Sequence, residues 1–515
     1  MSVRPVRLYN TLTQKVEDLV TINPGKVSLY VCGITTYDAP HAGHARTYTT
    51  FDVLTRFLRA KGYEVKHCRN VTDVDDKIVN RAKEKGMEPL ALSKHFSEIA
   101  DAQLEQLGCG RPDANPRVST TIPEIIALIE KLIAKDAAYV TPSTSGEGKD
   151  VYYAVRSFPG YGKLSRRNLD DLRAGASERL ADGAQDVKKD PLDFALWKAA
   201  PADGFGFDSP WGKGRPGWHI ECSAMVMREL GDHIDIHGGG MDLVFPHHEN
   251  EIAQSEAITG PDFSRFWMHG GFLEIDNEKM AKSLGNFVTI KDVLDRNDPE
   301  GYRYFVLGTH YRGPLNFDVE KKEDGRVVFP GLDEAERRMD YLYATRDALA
   351  NAAQGAEPKD SNILQGQTKI VEGAAERVME ALERDLNTPV ALSVLAELGK
   401  AANEIVMQVP KMKKDPAQHE AVKGLAAKAL VAFEKACAPL GLMQASSEQY
   451  WKRTRARRLA LRGLEESAIN AKIAARIEAR KAKDFAKADA IRKELGELGV
   501  EVFDAGDTST WKIGI

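Results

Sequence analysis

KVSLYVCGIT (residues 26–35) is a run of β-branched and aromatic residues closing on Gly33, the pattern of a buried strand and its turn. HAGHARTYTTFDVLTRFLRAKGY (41–63) follows with apolar residues at helical spacing up to Gly62. EVKHCRNVTDVDDK (64–77) predicts a second strand and its loop. Strand, helix, strand in that order predicts a βαβ unit and with it a parallel sheet. TTIPEIIALIEKLIAKDAAYV (120–140) carries the stripe of an amphipathic helix, TPSTSGEGKD (141–150) is turn-rich, and VYYAVRSF (151–158) predicts a strand. From there to SPWGKGRPGWH the period is lost, as in an insertion that interrupts a sheet domain, and HIDIHGGGMDLVF (233–245) resumes the α/β pattern.

Beyond about residue 320 the pattern changes to long Ala- and Leu-rich helices. ERRMDYLYATRDALANAAQ, IVEGAAERVMEALERDLNTPVALSVLAELGKAANEIVMQV and AVKGLAAKALVAFEKACAPLGLM are joined by the linkers GAEPKDSNILQGQ and PKMKKDPAQHE, which predicts a helix bundle. From residue 451 the basic stretch WKRTRARRLALRGLEE leads into ARKAKDFAKADAIRKELGELGVEVFDAGDTSTWKI, which ends in short strand-like pieces. No internal repeat interrupts this order.

Composition narrows the class without naming a function. At 515 residues the chain is too long for one core and predicts three or four domains. A content of 43% hydrophobic and 29% charged residues is that of an ordinary globular protein. No apolar run has bilayer-spanning length, and MSVRPVRLYNTLTQK lacks the apolar core of a signal peptide, so a cytoplasmic protein without a membrane anchor is expected. A net charge of −5 exerts no overall pull on nucleic acid, which leaves only local binding. Five scattered cysteines exclude a disulfide scaffold. Cys68, Cys109 and Cys437 have no partner motif and are expected to be buried small residues. Cys32, at a strand end, and Cys222, in HIECS, stand in motif contexts.

Three stretches carry candidate chemistry. In FPHHENEIAQ (245–254), Pro246 suits the first turn of a helix, and His247 and Glu251 four residues apart would then share a face. An imidazole and a carboxylate so placed can make half of a metal site, although a surface ion pair or a histidine capping its neighbours is the commoner arrangement. HAGH (41–44) falls where a strand's turn meets a helix N-terminus, a place that suits phosphate. Two core histidines would explain it as well. EKMAKSLGN (278–286) sets Lys279 and Lys282 three apart, either a clamp on a triphosphate or a solvated loop.

Taken together and about 240 residues apart, HAGH and KMAKS resemble the two signatures of class I aminoacyl-tRNA synthetases, with Ala281 where that family's second motif has serine. YVCGITTYDAPHAGH, NVTDVDDK, GRPGWHIECSAM, DIHGGGMDLVFPHHENEIAQSEA and KMAKSLGNF sharpen the likeness to the cysteinyl-tRNA synthetase family over essentially the full chain. The resemblance implies one zinc ion per chain, held by Cys32, Cys222, His247 and Glu251. It implies an amino-acid pocket lined by Thr72 and Trp218. Gly240 and Asp242 in GGGMD would meet the adenosine, and WMHGG (267–271) would offer main-chain contacts to adenine. His41, His44, Lys279 and Lys282 would serve ATP and its Mg²⁺ in catalysis. For tRNA(Cys) the anticodon readers would be Arg480, Asp489, Arg492 and Asp504, with Phe485 where a stacking tryptophan often stands. The basic run Lys452, Arg453, Arg455, Arg457, Arg458 and Arg462 would either contact phosphates or form a solvated face.

The implied fold is α/β. A Rossmann-like parallel-sheet catalytic domain (1–125 and 211–275) has an insertion at 126–210, and a linker domain at 276–325 carries the lysine motif. A helical bundle (326–447) and a small α+β anticodon-binding domain (451–515) follow. The expected partners are L-cysteine, ATP and tRNA(Cys), the expected state a monomer. A ligase joining cysteine to an amino-sugar shares the nucleotide and zinc motifs but lacks such a tail. A non-catalytic RNA-binding relative would not need the intact histidines and lysines.

Overall fold

The computed structural model describes all residues except 1–3, 144–145, 169–186, 276–277, 280–286, 324–325, 360–361 and 507. The chain divides into two compact units. One holds residues 1–290, 306–316 and 378–391; the other holds 291–305, 317–377 and 392–515.

The first unit is α/β. A hairpin of β1 (Arg7–Asn10) and β2 (Lys15–Asp18) precedes β3 (Lys26–Val31), α1 (Ala42–Ala60) and β4 (Glu64–Arg69). β3 and β4 pair in parallel, as a βαβ unit requires. Helices α2 (Asp76–Lys85), α3 (Pro89–Gln106) and α4 (Ile122–Ala134) follow. The predicted helix over 120–140 stops at Ala134 because Asp136 takes a left-handed φ of 57°, and the Tyr139–Val140 pair continues as a strand. That strand, β5 (Ala138–Pro142), joins β6 (Lys149–Tyr153), β7 (Phe194–Ala199) and β8 (Gly214–Pro216) in an antiparallel sheet.

The chain then returns through α5 (Trp218–Leu230), β9 (Ile234–Gly240), α6 (Glu249–Thr259) and β10 (Ser264–Gly270). The four parallel strands stand in the order β10-β9-β3-β4. The chain passes from β3 to β4 on one side and later returns to β9 on the other, so a crevice opens at the carboxyl ends of β3 and β9, the place where open α/β sheets bind ligands. Against this sheet pack Ile125 and Ile129 of α4, Ile220 of α5 and Ile252 of α6, around Tyr30 and Trp267. A smaller sheet joins β11 (Leu273–Ile275) to β12 (Glu278–Lys279) and to β13 (Leu315–Asn316).

Further along run α7 (Ile290–Arg296) and α8 (Pro299–Leu307), then a hairpin of β14 (Glu320–Lys321) and β15 (Val327–Val328). The helical region holds α9 (Pro330–Ala353), α10 (Gln365–Glu383), α11 (Thr388–Gln408), α12 (Pro416–Cys437) and α13 (Ser447–Leu461). The single helical pattern read over 370–409 is two helices. Asp385 and Leu386 adopt φ of 60° and 51°, Asp385 N–H donates to the Arg7 carbonyl, and Asn387 Oδ1 accepts from Val390 N–H to start α11.

α14 (Glu466–Lys481), α15 (Phe485–Glu497) and the hairpin β16 (Val500–Ala505)–β17 (Thr508–Ile513) close the chain around Ile473, Leu495, Val502 and Trp511. Among the described residues no helix is long and apolar enough to cross a membrane.

Candidate active site and metal centre

Cys32 follows the last residue of β3, and its N–H donates to the Gly238 carbonyl of β9 at 3.0 Å. The next residue has to be glycine: a Cβ on Gly33 would lie 1.6 Å from the Asn70 carbonyl oxygen. That closeness lets Asn70 Oδ1 accept from Gly33 N–H (2.7 Å) while its Nδ2 donates to Thr72 Oγ1 (3.1 Å). Thr72 is thereby fixed in a bridge to Thr35, buried beside the carboxyl end of β3.

Cys222 comes from the second turn of α5. His247 and Glu251 come from the turn before α6 and from the helix itself. The helix does not start at Pro246. Residues 244–248 form a wider turn in which Phe245 keeps extended angles (φ −140°, ψ 132°), and regular α-helix begins at Glu249. The four-residue spacing survives, with His247 Nε2 3.0 Å from Glu251 Oε1.

One ligand atom each from Cys32, Cys222, His247 and Glu251 lie within 4.8 Å of one another, and all four residues are buried. The two sulfurs are 3.9 Å apart, and Cys32 Sγ is 3.7 Å from Glu251 Oε1. Cys32, His237, His248 and Glu251 meet the same proximity. The first set has the better donors. It holds two thiols, and Cys222 is drawn down to about 6, first by the hydrogen bond from the Cys32 thiol and then, against burial, by His247. The second set offers a single thiol, with two histidines in place of Cys222 and His247.

Around the four donors stand histidines that the sequence reading did not single out. His237 Nε2 lies 2.9 Å from Glu251 Oε2, and His219 Nδ1 lies 2.9 Å from His247 Nδ1. His269 Nδ1 pairs with Thr11 Oγ1 at 2.8 Å. These contacts fix the rotation of each donor group, as the outer partners of metal ligands do. Burial opposes ionisation of Glu251, but His237 and His247 outweigh it and hold the carboxyl at about 2. Burial likewise opposes the His247 imidazolium, and Glu251 with Cys222 raises it to about 10. The cluster thus gathers a carboxyl and a thiol that are both drawn toward their anionic forms, a setting that suits a divalent cation. Trp218, 38% exposed, stacks its ring on His247 at 4.4 Å and so forms an open wall beside the buried cluster.

His41 caps α1. His44 N–H donates to His41 Nδ1 and His41 N–H to His44 Nδ1, each at 3.3 Å, and the two rings stack 3.6 Å apart. Both imidazoles therefore sit at the positive end of a 19-residue helix. Ala42 N–H donates to the Val288 carbonyl and Ile290 N–H to the Pro40 carbonyl, so the chain just past the lysine motif is tied to this helix end. Lys279 lies on β12, opposite Glu274 of β11. Lys282 lies outside the described residues.

Gly240 and Gly270 are register partners on β9 and β10, and Asp242 is exposed just beyond. A Cβ on Gly270 would meet nothing nearer than 3.9 Å, whereas one on Gly240 would press on Asp242 Oδ1 at 2.5 Å. The bare backbone leaves room there beside Thr47 of α1.

Phe485, Asp489 and Arg492 fall at i, i+4 and i+7 of α15 and are exposed on one stripe, Phe485 at 62%. Asp504 is held by Arg476 (2.6 and 2.9 Å) and Arg480 (2.9 Å), and those bonds keep its carboxyl well below the usual range. Arg476, buried and absent from the sequence reading, organises this corner.

The basic run divides. Arg453 binds Asp298 (2.6 and 2.9 Å) and Glu300 (3.3 Å), Arg457 binds Glu336, and Arg458 binds Glu336 (2.6 Å) and Asp340 (2.9 Å). These three are internal ion pairs, while Lys452 is exposed and Arg455 and Arg462 are half-buried.

Residues 18–326 match the family described as tRNA synthetases class I (C) catalytic domain, 377–444 the DALR domain, and 463–511 the cysteinyl-tRNA ligase anticodon binding domain. A cysteine–tRNA ligase of Anaeromyxobacter dehalogenans (strain 2CP-C) is 48% identical over 513 residues, 99% of each chain. One of Maridesulfovibrio salexigens is 44% identical over 508 residues, 99% of this chain and 100% of that one. Among solved structures, Mycobacterium tuberculosis methionyl-tRNA synthetase in complex with methionyl-adenylate superposes with a TM-score of 0.62 at 16% identity, covering 86% of this chain and 94% of that one. At that identity the likeness speaks for the fold alone.

Proposed function

Because the chain belongs to the cysteine–tRNA ligase family, we propose that its buried Cys–Cys–His–Glu centre selects cysteine by its thiol while the N-terminus of α1 receives the phosphates of ATP. The reaction has two steps. The cysteine carboxylate attacks the α-phosphorus of ATP, forming cysteinyl-adenylate and releasing pyrophosphate; a terminal ribose hydroxyl of tRNA(Cys) then takes the cysteinyl group.

The observation that carries the selectivity is the convergence of four buried donors at the carboxyl end of β3. Zinc with thiolate bonds of about 2.3 Å in a tetrahedral site sets two sulfurs roughly 3.8 Å apart, and Cys32 and Cys222 stand at 3.9 Å. Bound there, zinc would hold the substrate thiol as a thiolate and discriminate against a serine hydroxyl. Sizing one atom in a pocket is worth only about 1–3 kcal/mol, so donor chemistry supplies what shape cannot. Trp218 and Thr72 flank this end of the crevice and would orient the amino acid. The same reading gives one zinc ion to each chain, with the chain acting as a monomer in the cytoplasm.

His41 and His44 would hold phosphate oxygens at the helix end, and Lys279 and Lys282, with Mg²⁺, would meet the charge that grows on pyrophosphate. Such groups act by position and electrostatics, with no covalent intermediate on the protein. Gly240 gives close backbone approach for the nucleoside, and Asp242 would accept from ribose hydroxyls. At the far end of the chain, Phe485 offers a stacking face and Arg480, Asp489, Arg492 and Asp504 offer hydrogen bonds to unstacked anticodon bases. The match of residues 463–511 to an anticodon-binding domain favours this reading over an amino-sugar ligase.

Aminoacylation of tRNA(Cys) with cysteine and with serine, with zinc measured on the same preparation, tests the proposal. Cysteine charging with one zinc per chain is expected. Equal charging of serine, or full cysteine selectivity in metal-free protein, would overturn the role of the centre.

A further inference from the structure

A cavity of about 770 Å³ opens in the second unit between α7, the β14–β15 hairpin and the carboxyl end of α13. Its walls carry Arg296, Arg326, Arg458 and Arg462. Of the described acids that line it, Asp333 is engaged by Asn297 (2.9 Å) and Glu336 by Arg457 and Arg458, which leaves Glu323. Among the described residues Arg296 makes no side-chain ion pair, and Arg462 donates to a backbone carbonyl, that of Gly514, at 2.9 Å. Arg462 is nevertheless fixed in place: its guanidinium lies over Gly499, where a Cβ would come within 3.1 Å of it. Burial, then the neighbouring Arg458 and Arg326, push it below the usual guanidinium range.

Asn297 supplies an independent observation. It is 1% exposed and lines the same cavity, and its Nδ2 is directed at Asp333 Oδ1 and Glu336 Oε2, which settles which way the amide faces. Its Oδ1 is buried with no donor. An unmet acceptor beside the guanidiniums of Arg296 and Arg462 is what a ribose hydroxyl next to a phosphate would satisfy. The apolar part of the wall, Val328, Phe329 and Leu461, leaves room for the attached base.

We propose that this cavity is a ribose-phosphate site that takes one backbone nucleotide of the bound tRNA, with Arg296 and Arg462 on the phosphate and Asn297 on the 2′-hydroxyl. The inference rests on the tRNA-charging reaction proposed above and adds a contact that lies outside the anticodon corner. It reads no sequence, so it strengthens the hold on any tRNA and positions the cognate one.

The test compares the full-length parent with Arg296→Gln, Arg462→Gln and, as a control of equal charge change on the α11–α12 connection, Lys413→Gln. Filter binding of a tRNA(Cys) transcript is measured over a range of salt. Each arginine variant is expected to weaken binding roughly tenfold at low salt and to flatten the salt dependence by about one unit of slope, while Lys413→Gln changes neither. Pyrophosphate exchange, which needs no tRNA, is expected to stay at the parental rate in all of them. Unchanged tRNA affinity in Arg296→Gln, or an equal loss in Lys413→Gln, would overturn the site. Thermal stabilisation of the parent by inorganic phosphate that both arginine variants lose, with tRNA affinity intact, would assign the cavity to a free anion instead. Failure of the parent itself to charge tRNA(Cys) would strike the proposed function and not this contact.

Discussion

Glu251 meets three imidazoles with two oxygens: His247 at 3.0 Å and His248 at 4.0 Å face Oε1, and His237 at 2.9 Å faces Oε2. The spacing of His247 and Glu251 was legible in the sequence because a helix brings i and i+4 together. That Cys32 and Cys222, 190 residues apart, reach the same point came only with the family resemblance. His219, His237, His248 and His269 were not legible as a supporting shell. A buried histidine leaves no charge pattern in a sequence, even when, like His248, it adjoins a proposed ligand. Cys222→Ser should cost at least about 100-fold in metal affinity, since loss of an outer partner alone costs 10–100-fold. The cysteine requirement should rise far more than the ATP requirement, as read by metal content and pyrophosphate exchange. His67 on β4 offers a pH test away from the centre. Burial, then Arg69, lowers it from 6.5 to about 4, and its Nε2 has no hydrogen-bond partner. With the folded value below the unfolded one, its contribution is complete above pH 6.5 and is lost as pH falls toward 4. At pH 5 the loss reaches about 2 kcal/mol. Urea midpoints at pH 7.5 and 5 should therefore converge in His67→Leu compared with the parent.

Among the elements, the βαβ opening and the alternation after residue 233 were readable because apolar period reports burial directly. The break at 384–387 was not, since Asp385 and Leu386 turn left-handed to satisfy a contact with Arg7 that no local pattern encodes. The inward half of α13 was equally hidden: its acids, Asp298, Glu300 and Glu336, lie more than 120 residues upstream. In the sequence Arg453, Arg457 and Arg458 are simply a basic run. In the fold they are the counter-charges of buried carboxylates, reinforced by Tyr450 stacked on Tyr343 at 3.7 Å with planes 5° apart. Glu336→Gln should destabilise the second unit by about 3–5 kcal/mol, because it leaves Arg457 and Arg458 under-compensated in a buried setting. Replacing the pair together, Glu336→Leu with Arg458→Met, should recover much of that loss in denaturant unfolding.

At the scale of the molecule, the catalytic machinery and the tRNA-reading tail can be separated by substitution but not by a cut near residue 449. Such a cut removes nearly all of α13, which gives Arg453, Arg457 and Arg458 to the buried acids and Leu459 to the C-terminal core. Truncation is expected to broaden and lower the thermal transition, whereas Arg492→Ala should leave melting and pyrophosphate exchange unchanged and weaken discrimination at one anticodon base by about 1–3 kcal/mol. Charging assays against anticodon-variant tRNAs would show it, and a uniform loss across all of them would contradict a base contact. The clamp between α13 and those acids also sets a timetable for the newborn chain. Asp298 leaves the ribosome 155 residues before Arg453, and at roughly 5–20 residues per second it waits on the order of ten to thirty seconds for its counter-charge. Through that interval the second half of the protein has its helices but not their neutralising partner, and its completion is postponed until translation is nearly over.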